Sequence, residues 1–313
     1  MTTGFFTHAA CYRHLTAKNS PESPERVAAI EDRLVASGLL SAFKVVRTER
    51  RVSQKDLLRA HDADYIRYVQ SKVPAREGEL VAISDDTTVS SCSFEAALQS
   101  AGCVLEACDQ VMEGVFQNAF CCIRPPGHHA HRNKAGGFCL FNNVAIAALY
   151  AKAQLNCSRI AILDFDVHHG DGTEDIVAGV DGIEFFSLYQ AGIFPHVEKV
   201  SAMAHAGNVY TYPLQAGDTG DRACEIIRSD WGEKLQRFKP DLLLISAGFD
   251  AHANDTMAQL DFSDLDYAHI TRIIKDIATA VCCGRLVSVL EGGYEPRSLS
   301  RAVLAHVRTL ADL

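Results

Sequence analysis

The chain has 313 residues, 48% of them hydrophobic, a formal charge of −9, no biased tract and no internal repeat. Such a length and composition suit one large α/β domain with a deep core and exclude a disordered or fibrous protein. The negative balance, with no dense Lys/Arg cluster, argues against a dedicated nucleic-acid binder, because neutralising phosphates needs a basic face.

From the N-terminus, Met1 to Tyr12 shows no basic region followed by an apolar core and a cleavage site. No stretch approaches the roughly 18 uninterrupted apolar residues of a membrane span. The expectation is a soluble cytoplasmic protein with no membrane partner. Ser23-Pro24-Glu25-Arg26 opens a helix, with a capping residue and a proline in the first turn. Arg47, Arg50 and Arg51 read as a solvated loop. Ser93 to Met112 predicts a long helix, and the N-terminal third is otherwise helix and loop.

Beyond it, short apolar runs alternate with helical patterns, which means parallel strands joined by crossover helices. The strands are read at Ala119 to Arg124, Arg159 to Asp166, Ile183 to Tyr189, Asp241 to Ala247 and Leu286 to Glu291. Helices are read at Asn142 to Gln154, Asp221 to Phe238 and Leu265 to Val281, with Asp221 and Asp264 placed to cap or favour their starts. The eleven cysteines are odd in number and irregular in spacing. They are read as reduced, mostly buried thiols, Cys121, Cys122, Cys282 and Cys283 among them.

In an open parallel sheet, ligands bind beyond the carboxyl ends of the strands. The polar residues that follow these runs should therefore converge. Asp164, Asp166 and His168 alternate along an extended segment and can share one face. Asp250 ends a second apolar run. Two carboxylates and an imidazole with one open position are the donor set of a catalytic zinc. A capped strand end with salt bridges is the bland reading of an isolated Asp-x-His; His128, His129 and Asp250 weigh against it here.

Arg124 to Ala130 forms a proline- and glycine-stiffened turn that presents His128 and His129, candidates for proton transfer. Asp164 and Asp171 are available to orient their second ring nitrogens. Leu290-Glu291-Gly292-Gly293-Tyr294 ends the last strand with two glycines that let backbone approach a ligand and a phenol that can donate to an oxyanion.

Assembled, the segments RPPGHHA, GGFCLFNNVAIAA, LDFDVHHGDGT, SAGFDAH and LEGGY resemble the zinc-dependent histone deacetylase family. The likeness is to its class II branch, with bacterial deacetylase-like and acetylpolyamine amidohydrolase relatives, and runs from about Pro21 to Tyr294. The resemblance implies the arginase-deacetylase fold: a single-domain, open, mostly parallel α/β sheet flanked by helices. It implies Asp166, His168 and Asp250 as zinc ligands, His129 as principal base and acid, His128 as its partner, and Tyr294 as the electrophile. It further implies Gly137, Phe138 and Phe194 as walls of an acyl-lysine tunnel. A potassium site would take Asp164, Asp166, His168, Ser187 and the carbonyl of Leu188. Arg26 would line an internal channel, where the bland alternative is a helix-surface salt bridge.

The implied activity is hydrolysis of an acylated lysine or a small acylated amine. Polyamine-selective members carry an acidic gatekeeper where this chain has neutral Met257, while Asp85 and Asp86 fall near the expected mouth. An acetylpolyamine amidohydrolase, an arginase-like di-metal hydrolase and a non-catalytic acyl-lysine-binding module are the alternatives.

Overall fold

A computed structural model describes residues 2–196 and 207–313. The chain opens with β1 (Thr3–Thr7), α1 (Pro24–Ala36), β2 (Lys44–Arg47), α2 (Gln54–Ala60) and α3 (Ala63–Lys72), then a short antiparallel hairpin of β3 (Val81–Ala82) and β4 (Thr88–Val89). Next come α4 (Ser93–Met112), β5 (Asn118–Cys121), α5 (Asn143–Gln154), β6 (Ile160–Asp164), α6 (Asp171–Val177), β7 (Ile183–Gln190) and β8 (Val209–Leu214). The C-terminal third holds α7 (Gly220–Ile226), α8 (Gly232–Phe238), β9 (Leu242–Ala247), α9 (Asp264–Cys282), β10 (Leu286–Leu290) and α10 (Pro296–Leu310).

Eight strands form one sheet in the order β2-β1-β5-β10-β9-β6-β7-β8, every neighbouring pair parallel. The inner strands are apolar along their whole length because both faces are covered: every residue of β5, β6, β9 and β10 is buried. Helices α2, α4, α5 and α6 pack together, and α1, α7, α8, α9 and α10 form a second packed group. Among the described residues no helix is long and apolar enough to cross a membrane.

All five expected strands are present, with ends that move for identifiable reasons. β6 stops at Asp164, two residues early, because the next turn spends its backbone on carboxylates: Asp166 N–H donates to Asp164 Oδ1 (3.0 Å) and His168 N–H to Asp166 Oδ1 (2.9 Å). The helix expected over Asp221 to Phe238 is broken by a π-helical turn at Ile227–Trp231. Helix α9 is capped by Ser263 in a reciprocal capping box with Asp266, so Asp264 is a first-turn acid and not the cap. Ser23 holds the N-cap position of α1 but its side chain makes no capping hydrogen bond.

The N-terminal third, read as helix and loop, supplies the β3–β4 hairpin and two strands of the eight-stranded sheet, where β1 lies between β2 and β5. The three arginines face different acids: Arg47 pairs with Glu31, Arg50 with Asp109 and Arg51 with Glu95. No cysteine is bridged; nine are buried, while Cys283 is exposed because it ends α9 in a left-handed conformation (φ 56°).

Candidate active site

The carboxyl ends of the four adjacent strands β5, β10, β9 and β6 carry the chemistry. Asp166, His168 and Asp250 are buried, and one donor atom from each lies within 4.8 Å of the others. Nδ1 of His168 is 3.1 Å from Asp166 Oδ1 and 3.2 Å from Asp250 Oδ2, an oxygen that is buried yet accepts no hydrogen bond. A Cβ at Gly248 would overlap Asp166, and one at Gly292 would overlap Asp250 and press on Asp166. Glycine at these positions keeps a cradle open beside the acids.

The charges show what this cradle suits. Burial pushes the Asp250 carboxyl up to about 6, with the Asp166 charge adding to the effect. Burial also opposes ionisation of Asp166, yet His128 and His168 hold it well below the usual carboxylate range. His168 is raised to about 10 against its burial, by its hydrogen bond to Asp166 and by the adjacent Asp250 carboxylate. Among the described residues this is the one group of His, Cys, Asp or Glu that can hold a metal ion. Buried anions need a counter-charge, and two carboxylates with one imidazole match a zinc-type donor set with an open position.

Each catalytic candidate histidine has its own carboxylate. His128 Nδ1 lies 3.0 Å from Asp164 Oδ2, and His129 Nδ1 lies 2.7 Å from Asp171 Oδ1. Burial lowers His129 to about 4, helped by the charge of His128. Burial disfavours a charged His128 too, but Asp166 and Asp164 raise it well above its ordinary value. One ring is thereby suited to accept a proton and its neighbour, 3.9 Å away between centroids, to carry one.

Three residues that sequence reading passed over hold this arrangement. Glu291 Oε2 accepts from the backbone N–H groups of Gly127 (2.7 Å) and His128 (3.2 Å). The Asn142 side chain caps α5 at Ala145 N–H and donates to Ala130 O and Thr173 Oγ1. Asp255 Oδ2 accepts from Tyr294 N–H (2.6 Å), so the loop after Asp250 sets the tyrosine turn. Glu291 was findable, since it ends an apolar strand as Asp164 does.

Tyr294 is half-buried, its ring 5.5 Å from that of Phe138. Burial keeps its phenol protonated, and the nearby charges of Asp250 and Asp166 add to this while Arg26 opposes it. Arg26 is not a helix-surface residue: it is fully buried, 4.8 Å from the Tyr294 ring centroid, and donates to Gly293 O and Glu291 O. Phe194 is 41% exposed and packs 4.9 Å from the His129 ring. A Cβ at Gly137 (φ 53°) would overlap that same imidazole.

Met257 is half-buried, its N–H donating to Asp255 Oδ1. Asp85 and Asp86 are both exposed, and Asp86 accepts from Gly137 N–H. Ser187 and Leu188 are buried on β7; Ser187 pairs in register with Asp164, but its hydroxyl is 2.8 Å from His169 Nδ1.

An open parallel sheet thus carries at its carboxyl end a buried Asp-His-Asp group compatible with a catalytic metal, beside carboxylate-backed histidines, the arrangement of a hydrolase. A family model described as "Histone deacetylase domain" matches residues 20–310. The chain is 34% identical over 301 residues to a histone deacetylase-like amidohydrolase of Pseudomonas aeruginosa, covering 95% of this chain and 78% of that one. It is 32% identical over 353 residues to type-2 histone deacetylase 2 of Dictyostelium discoideum, covering 97% of this chain but spanning only 20% of that protein's length. The crystal structure of an HDA15 HD domain superposes with a TM-score of 0.90 at 27% identity, over 99% of this chain and 90% of that one. The chain belongs to the histone deacetylase family, and is an amidohydrolase of the deacetylase kind.

Proposed function

We propose that the protein is a zinc-dependent deacylase that hydrolyses the amide of an N-acyl lysine, or of a related acylated amine, to a carboxylate and a free amine. The observation that supports this most is the convergence of Asp166, His168 and Asp250 with His128, His129 and Tyr294 at the ends of four adjacent strands. Bound by those three ligands, zinc would supply the Lewis acidity that acidifies water and polarises the substrate carbonyl.

The chain's own groups do the rest. His129, neutral and with Nδ1 directed at Asp171, takes the water proton at Nε2. The Tyr294 phenol donates to the carbonyl oxygen as charge develops on it. His128, with Nδ1 3.0 Å from Asp164 Oδ2, gives a proton to the departing amine. Phe138 and Phe194 flank the acyl chain, excluding water from the bond being cut. Asp164, Asp166, His168, Ser187 and the Leu188 carbonyl form the candidate potassium site, whose charge would offset the buried Asp164. Met257 puts a thioether where a polyamine-selective site needs a carboxylate, which favours acyl-lysine over acylpolyamine.

The test is a panel that varies amine and acyl group separately, given to zinc-loaded protein. Release of carboxylate from acyl-lysine peptides is expected. No turnover on any acylated amine would favour a binding module, and two manganese ions per chain with urea release an arginase-like enzyme.

A further inference from the structure

The turn that carries the two catalytic histidines continues to a third, and its ring reaches the same carboxylate. Asp171 is shared: Oδ1 faces His129 Nδ1 at 2.7 Å, and Oδ2 faces His131 Nε2 at 2.9 Å. The second nitrogen of His131 lies 3.5 Å from Asp175 Oδ2, one helical turn further along α6. Its backbone is fixed at both ends, N–H donating to Lys134 O (2.9 Å) and C=O lying 2.9 Å from His61 Nδ1. His61 in turn accepts from Asn142 N–H through Nε2, tying this loop to the start of α5. None of the residues His131 touches is a metal ligand candidate.

A base that works through Nε2 must carry its proton on Nδ1, and that tautomer is held by the hydrogen bond Nδ1 makes. A carboxylate with one oxygen untied can rotate away or exchange its partner for water. We propose that His131 is a positioning residue for the deacylase reaction: by anchoring Oδ2 of Asp171 it locks Oδ1 onto His129 and fixes the Nδ1–H tautomer of the base.

The charges around His131 are consistent with that role. Burial disfavours its charged form, but hydrogen bonds to Asp171 and Asp175 raise it to about 9, against the opposing charge of Lys134 in its own loop. At neutral pH it is an imidazolium, a donor at both nitrogens, and cannot compete with Asp171 for the proton of His129. The nearby Arg132 guanidinium is directed elsewhere, to Ile176 O.

The inference rests on the deacylase reading for its kinetic arm alone. Steady-state kinetics on an acetyl-lysine peptide would be measured for metal-loaded wild type, His131→Leu, His131→Gln, Asp171→Asn and the Leu/Asn double variant. Ring 15N shifts of His129 would be recorded on the same proteins. His131→Leu is expected to lower kcat about tenfold with KM unchanged, the usual scale for an outer partner of a catalytic ligand. His131→Gln, which keeps a donor near Oδ2, retains most of the turnover. The leucine variant adds little once Asp171 is asparagine, because the two act through one hydrogen bond.

The 15N spectra should show Nδ1–H at His129 in wild type and a growing Nε2–H fraction in the leucine variant. Additive losses, an unchanged kcat in His131→Leu, or an unchanged tautomer overturns the proposal. If the leucine variant does not fold, His131→Gln and the wild-type spectrum still decide: an Nε2–H tautomer in wild type is fatal to it. Wild type that hydrolyses no acylated amine defeats the deacylase reading instead, while the 15N comparison continues to test His131.

Discussion

Two clusters of buried histidine sit on opposite sides of the same strand ends. On one side Asp164, Asp166 and Asp250 surround His128 and His168; on the other Phe165 and Phe249, the residues next to them in sequence, close over His306 at ring distances of 6.0 and 5.6 Å. His306 is bonded to two hydroxyls, Thr271 Oγ1 at 2.6 Å and Ser288 Oγ at 2.8 Å, and burial drives it down to about 3. The histidines of the site are equally buried but face carboxylates. Burial alone makes a neutral structural imidazole; carboxylates raise His128 and His168 against the same burial and orient His129, which stays neutral like His306 but has a partner for Nδ1.

The contrast can be broken most severely at the metal cradle. Asp250→Asn should abolish metal retention and reduce hydrolysis to background, read by metal analysis beside turnover, while His306 is untouched. Tyr294→Phe comes next: turnover is expected to fall about 10²- to 10³-fold, the loss typical of one oxyanion donor, with metal content still near one per chain. Wild-type turnover in that variant would remove the phenol from the chemistry.

On the structural side, His306→Leu should leave kcat unchanged but cost about 1–3 kcal/mol of stability, because two buried hydroxyls lose their partner. Denaturant melts check it. The second readout on this side is the pH slope. A histidine held near 3 when folded and near 6.5 when unfolded takes up its proton on unfolding. Stability is therefore full above pH 6.5 and declines as pH falls from 6.5 towards 3, by about 1.4 kcal/mol per unit for this proton. His306→Leu should flatten that limb. A limb that stays equally steep would assign the acid sensitivity to other groups, such as His8, which burial also lowers to about 3.

The metal cradle was legible in sequence because each of its acids ends an apolar run, a placement that only an ion or a salt bridge justifies. The central strands were legible for the same reason, being apolar from end to end. β1 was missed because TGFFT is five residues long and contains glycine. β8 was missed because an edge strand is half-solvated and VYTYPL includes a proline. Phe138 and Phe194 came only from family resemblance, since an isolated phenylalanine reads as core. Asp255 and His131 lie in loops where one polar residue carries no periodic signal, and their significance appears only when the chain brings Tyr294 and Asp171 beside them.

The strand order also sets when the protein can first work. β9 and β10 are synthesised after the other strands of the sheet, yet they fill its middle, between β5 and β6. Until they insert, Asp250 and Tyr294 are absent and the inner edges of β5 and β6 have no partners. A chain emerging from the ribosome N-terminus first thus exposes two apolar strand edges from the making of β6 until β9 and β10 follow, an invitation to aggregate or to recruit a chaperone. Competence arrives in one late step, as the final two strands close the gap, and a partly made chain has no partial activity.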